Sequence, residues 1–148
     1  MNKTFIVAGM LFVGATAARA QWVGVPYEVQ LALNRIEVAF RTGDPASIED
    51  MFPAGLEMRI EDSLYWARPL PYAIADLKNY FAGKDSLDFR FASPGSGTLS
   101  YSVNGDRHHI PVDVWLRWNG GEIQLYALNI SNYPIATVFY HLSKEMRK

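Results

Sequence analysis

The chain has 148 residues, of which 49% are apolar and 14% aromatic, with a formal charge of −1; that is one packed domain and excludes a disordered tail-like protein. It has no cysteine, so a disulfide framework and a lipidated cysteine are both excluded and the core rests on packing alone. The charge balance offers no basic patch for nucleic acid.

The first twenty residues, "MNKTFIVAGMLFVGATAARA", place Lys3 ahead of an apolar run from Phe5 to Ala18, with small residues at Ala18 and Ala20. This is the pattern of a secretory signal peptide with an A-x-A cleavage site, so the mature chain is expected to begin at Gln21. The apolar run falls short of the roughly 20 residues that cross a bilayer, and no later run is long enough. A periplasmic or extracellular location follows, with no transmembrane segment after cleavage. Loss of Lys3 and Arg19 leaves 12 basic against 15 acidic residues.

From Pro26 to Arg41 apolar residues recur at steps of three and four, through Val29, Leu33, Ile36 and Phe40, which predicts a helix. Gly43 suits its left-handed stop. Asp44 and Pro45 then read as N-cap and first residue of a short helix through Met51. Alternation in "LEMRIE" predicts a strand carrying Leu56, Met58 and Ile60 on one face, and "LYWA" after the "EDS" turn predicts a returning strand. The helical step resumes from Pro69 to Phe81 and ends at Gly83.

The rest reads as an antiparallel meander. Leu87, Phe89 and Phe91 alternate with charged residues, and "SPGSG" is turn chemistry. Leu99, Tyr101 and Val103 alternate with serines; "NGD" and "NGG" are hairpin turns on either side of a long strand, Arg107 to Trp118. In "EIQLYALNI" the apolar positions Leu125, Leu128 and Ile130 break strict alternation, which predicts a β-bulge near Tyr126–Ala127. Pro134 opens a final amphipathic segment with Ile135, Val138, Phe139, Leu142 and Met146 on one face. The domains are thus a signal peptide (1–20), an α+β domain (21–131) and a C-terminal helix (132–148).

Helices gathered on one side of a curved antiparallel sheet define an α+β class. The long first helix, the "GDPASIEDMF" corner, the helix ending "NYFAG" and the strand "GGEIQLYALNI" together resemble the nuclear-transport-factor-2-like superfamily. The similarity is nearest to a group of small secreted bacterial proteins of unknown function and covers about residues 27 to 131. It implies a cone-shaped sheet wrapped around the N-terminal helices; the extra C-terminal helix departs from the pattern. The superfamily includes isomerases and dehydratases whose pockets use carboxylates, histidines and tyrosines.

"RHHIPVDVWLRW" looks at first like a metal or catalytic site. Neighbours on a strand point to opposite faces, so His108 and His109 cannot grip one ion. His109 and Asp113 share a face but stand about 13 Å apart at ~3.3 Å per residue, too far for ligands that lie about 2 Å from zinc. No metal site, cofactor motif or serine nucleophile is read from this sequence.

Period two places Met58, Phe89, Phe91, Tyr101 and Leu116 inside the cone, with Tyr65 beside them, and none of the inward positions is an acid or a histidine. The first functional reading is therefore a non-catalytic pocket for a small apolar ligand lined by Met58, Tyr65, Phe89, Phe91, Tyr101 and Leu116. Asp113, Trp115 and Arg117 fall on the outer face, and a tryptophan beside an arginine there supports the alternative, docking as a homodimer or to an envelope protein partner. An isomerase- or dehydratase-like enzyme is the third reading, and it requires Asp113 or Glu57 to face inward.

Overall fold

The computed structural model describes residues 22–133. The expected signal peptide, and all but the first two residues of the expected C-terminal helix, lie outside that range. In chain order the elements are α1 (Tyr27–Thr42), a 3-10 segment (Pro45–Met51), β1 (Gly55–Ile60), β2 (Ser63–Pro69), α2 (Leu70–Phe81), β3 (Asp85–Ser93), β4 (Ser96–Val103), β5 (Asp106–Asn119) and β6 (Glu122–Ile130). The six strands form one unclosed sheet in the order β2-β1-β6-β5-β4-β3.

Strands β3 to β6 are the expected meander. Two-residue turns at Asn104–Gly105 and Gly120–Gly121 have both residues at positive φ (52° and 86°, 62° and 91°), the conformation that matches strand twist. Trp115 pairs with Ala127 and Leu116 with Leu125, so Tyr126 is the extra residue of a bulge, where the broken alternation put it. β1 joins β6 in parallel, Met58 opposite Leu128, a long-range pairing with no local turn to announce it.

The helices cover one face. Leu33, Ile36 and Phe40 of α1 and Ala73, Ile74 and Leu77 of α2 share a core with Leu56, Met58, Phe89, Phe91, Leu99, Val112 and Leu125. Aromatic rings run through it at edge-on or tilted angles: Phe40 lies 5.2 Å from Phe81 and 5.3 Å from Phe89, and Phe89 lies 4.8 Å from Phe91. Each such ring withdrawn from water contributes about 1.5–3 kcal/mol. Trp118, which continues the alternation of Val112, Val114 and Leu116, is exposed near the far end of β5.

α1 stops as expected, Gly43 taking φ 67° and ψ 27°. The corner after it differs from expectation: Pro45–Met51 is a 3-10 helix and the Asp44 side chain makes no capping bond. Ser47 instead donates its amide and hydroxyl to the Asp44 carbonyl. Seven residues interrupted by a kink at Ile48 are too few to propagate an α-helix.

β3 is an edge strand, and α1 covers its free side. The buried Glu37 carboxylate accepts from the Phe91 amide at 2.8 Å. One turn on, Arg41 donates to the Phe89 carbonyl and lies 3.9 Å from Glu37. Backbone groups that would otherwise invite another strand are thereby satisfied.

Candidate functional site

One end of the helix-covered face gathers polar groups from four elements. Tyr80 stands in the last turn of α2. The turn after it, with Gly83 at φ 79° and the Lys84 amide bonded to the Phe81 carbonyl, swings Lys84 back over the helix end. There its ammonium donates to the Tyr80 carbonyl, capping an orphan acceptor of the helix terminus. The same ammonium lies 3.9 Å from the Tyr80 ring centroid and 5.1 Å from that of Tyr101, cation–π distances in both cases. Tyr101 on β4 pairs across the ladder with His108 on β5, and their rings stack 5.3 Å apart with planes 20° from parallel. Glu61, in the turn after β1, is held to the same end of the sheet by its amide, which donates to the Ile130 carbonyl.

The electrostatics follow from this placement. Tyr80 is 8% exposed and its hydroxyl makes no hydrogen bond of good geometry among the described residues. Burial holds the phenol far above its ordinary range, and the charge and weak, poorly aligned hydrogen bonding of Tyr101 and Glu61 add to the shift. Burial lowers the Lys84 ammonium below the usual lysine value, and Glu61 partly offsets this. The end thus presents a buried neutral hydroxyl, a half-buried cation and two stacked rings. Chemically these are hydrogen-bond donors and flat apolar faces. Its carboxylate, Glu61, is exposed, whereas a general base tuned toward neutrality needs an apolar setting.

The structure divides the residues singled out from sequence. Tyr101 sits in this cluster. Met58, Phe89 and Phe91 are enclosed in the core behind it. Leu116 is half-buried opposite Leu125, but eight residues along β5 from His108 amount to about 26 Å at ~3.3 Å per residue. Tyr65 lies on the edge strand β2 opposite Met58, under the Arg68 guanidinium at 4.4 Å. Arg68 is itself bonded to Asp76. One small molecule cannot touch Tyr101 and Leu116 together. Tyr80, Lys84 and Glu61 were not visible to period-two reading, because they lie at element ends rather than on strand faces; His108 shares the parity of Ile110 and faces the inward Tyr101, so the expectation of no inward histidine is corrected.

On the opposite face Asp113, Trp115 and Arg117 do come together. Asp113 accepts from Ser96 at 2.7 Å and from Asn129 at 3.5 Å. Trp115, Trp66 and Tyr126 pack around the buried Ala127, and Arg117 donates to Gln124 with its guanidinium 5.3 Å from the Tyr126 ring centroid. Glu57 also points outward, where it accepts the Ala67 amide, so neither Glu57 nor Asp113 enters the cone. His109 is bonded to Ser100. Among the described residues no group of three His, Cys, Asp or Glu is placed to hold a metal, and no helix is long and apolar enough to cross a membrane.

This architecture, an unclosed six-stranded sheet wrapped on one face by helices, is the nuclear-transport-factor-2-like fold. Solved structures agree. A DUF4783 family protein from Bacteroides fragilis superposes with TM-score 0.54 at 10% identity, over 74% of this chain and 99% of that one. An NTF-2 like protein of unknown function from Shewanella oneidensis gives 0.52 at 13% identity, over 73% and 100%. A putative calcium/calmodulin dependent protein kinase II association domain from Xanthomonas campestris gives 0.50 at 13% identity, over 76% and 90%. No family model and no curated protein matches the sequence. Likeness at these identities establishes the fold, and function has to be argued from the site.

Proposed function

We propose that the mature chain is an exported, non-catalytic binding domain for a small, largely apolar ligand that carries an acceptor oxygen. The ligand is held at the Tyr80–Lys84–Tyr101–His108 end of the cone. The observation that carries this reading is the buried Tyr80 hydroxyl, which makes no hydrogen bond of good geometry among the described residues and has only the Tyr101 and Glu61 side chains acting on it as weak partners. A buried donor left unsatisfied costs about 1–3 kcal/mol, and such groups in native proteins are ordinarily met by water or a ligand. Lys84, drawn over both tyrosine rings, adds a positive field that favours a carboxylate or polarised carbonyl. Tyr101 and His108 supply flat faces for an apolar body, and Phe89 and Phe91 form the closed floor behind. Export rests on the pattern of residues 1–20.

The test is native mass spectrometry of Gln21–Lys148 purified from its own envelope fraction. The proposal expects a reproducible added mass that is lost on denaturation and lost again in a Lys84→Ala variant. A wild-type protein that carries only its polypeptide mass, or an adduct indifferent to Lys84, removes the reading.

A further inference from the structure

Glu61 enters the candidate site from the β1–β2 turn, and that turn is held from the other face of the sheet. Arg59 and Glu61 are two residues apart, so strand alternation would place both on one face. Arg59 does lie on the outer face, paired with Asn129, which is bonded to the outward Asp113. Glu61 stands at φ 52°, a left-handed conformation that a residue with a Cβ seldom adopts unless its surroundings impose it. The turn takes Glu61 out of the alternation, and its carboxylate acts on the Tyr80 hydroxyl and the Lys84 ammonium instead.

Two bonds hold the Glu61 backbone. Its amide donates to the Ile130 carbonyl at 2.7 Å, and its carbonyl accepts from the Arg59 guanidinium at 3.2 Å. Tyr133 fixes the groups around those bonds. Its ring lies 4.1 Å from the Arg59 guanidinium, a cation–π distance, and its hydroxyl donates to the Asp62 carboxylate at 3.0 Å. Its amide donates to the Ser131 hydroxyl at 3.2 Å, and the buried Ser131 donates in turn to Asn129 at 2.7 Å. Tyr133 is thereby pinned at amide, ring and hydroxyl, and it grips residues on both sides of Glu61.

We infer, on the reading of this end as a binding site, that Tyr133 is a positioning residue which clamps the β1–β2 turn so that Glu61 selects a neutral carbonyl compound over a carboxylate. The Lys84 ammonium and the Glu61 carboxylate offset each other. A ligand carboxylate is drawn by the one and repelled by the other, whereas a ketone or amide oxygen accepts from Tyr80 and Lys84 without that repulsion. The Tyr101–His108 stack supplies the face for a flat body beside the carbonyl.

The experiment uses the mature chain with lysines carrying carbon-13 at Cε, and follows the Lys84 resonance, identified by its loss in Lys84→Arg, at neutral pH without ligand. Glu61→Gln removes the carboxylate and defines the direction in which the resonance moves when that charge departs. Tyr133→Phe changes no charge and should move it along the same line by less; Asp62→Ala breaks the same bond and serves if Tyr133→Phe does not fold. A Lys84 resonance indifferent to Glu61→Gln, or moved by it but not along the same line by Tyr133→Phe, overturns the inference, since a merely structural Tyr133 would change stability alone. Acetophenone and benzoate then serve as matched flat probes. Wild type should bind acetophenone more tightly, and both variants should move the preference toward benzoate; a wild type that prefers benzoate overturns the selection. If neither probe binds and native mass spectrometry finds no adduct, the binding reading itself has failed. If neither binds to a protein that does carry an adduct, the carbonyl class is wrong and the binding reading stands.

Discussion

Tyr80→Phe removes one oxygen and leaves the shape of the ring, so its effect isolates the hydroxyl. Among the described residues that hydroxyl is buried without a hydrogen bond of good geometry, and the surroundings that disfavour its ionisation are burial first, then the charge and weak hydrogen bonding of Tyr101 and Glu61. Deleting an unsatisfied donor recovers its desolvation penalty, so the ligand-free variant should be more stable by about 1–2 kcal/mol, or roughly 4–8 °C in Tm for a domain of this size. The ring contacts with Phe81, 5.8 Å between centroids, and with the Lys84 ammonium are kept. Differential scanning calorimetry on protein refolded from denaturant, and so stripped of any retained molecule, measures the change; native mass spectrometry of the envelope-purified variant measures retention. A variant that gains stability and loses its adduct has exchanged function for packing, the usual trade at a binding site. A Tm that falls in the stripped protein would refute the reasoning, because the hydroxyl would then be a structural donor and its burial would say nothing about a ligand.

Glu37→Leu strips the acceptor from the Phe91 amide inside the protein and should cost about 2–3 kcal/mol, against about 1 kcal/mol for Glu37→Gln, which keeps an oxygen there; urea titration of both variants separates the two. Gly97→Ala would set a Cβ 2.5 Å from the Arg90 carbonyl oxygen and 3.0 Å from the Phe91 Cα, forcing β3 and β4 apart at a cost of about 1–3 kcal/mol, read by the same titration. Lys84 has a folded-state pKa below its ordinary 10.5, so the unfolded chain binds more protons in the interval just under that value and the stability contribution of Lys84 rises with pH there. Thermal melts across that interval should show wild type gaining on Lys84→Gln as pH rises toward 10.5, and parallel curves would show that the ammonium is not desolvated.

Features encoded between neighbours were legible in the sequence. Alternation assigned Met58, Phe89, Phe91, Leu99 and Tyr101 to the inner face because a strand repeats every two residues, and the structure buries all five. Glycine and asparagine marked the hairpin turns because those turns need positive φ at both residues. The bulge at Tyr126 was readable as a break in the same alternation. The Asp44–Pro45 corner shows the limit of such signals: the residues suit an α-helical start, yet the segment is too short to sustain one, and the capping bond gives way to Ser47. Glu37 carried a signal that charge obscured. It follows Leu33 by four residues and precedes Phe40 by three, squarely on the buried arc of α1, and a carboxylate there requires a donor from another element, which the free edge of β3 supplies.

The candidate site was less legible for a reason of topology. Tyr101 could be placed from its own strand, but Tyr80 and Lys84 reach it from a helix end, His108 from the neighbouring strand across a turn, and Glu61 from a turn fixed by the parallel pairing of β1 with β6. No spacing in the chain records that pairing. The reasoning that found no acid or histidine on the inward strand faces holds for the acids, since Glu57 and Asp113 both point outward, but fails for His108, whose ring stacks on that of the inward Tyr101. What it left out is that a cone has ends as well as walls. At the ends the helix and strand periods no longer govern side-chain direction, backbone groups are left to be capped, and polar residues such as Lys84 are drawn in to cap them. A fold of this kind therefore places polar groups beside its aromatic core at its termini, where strand alternation carries no information about them.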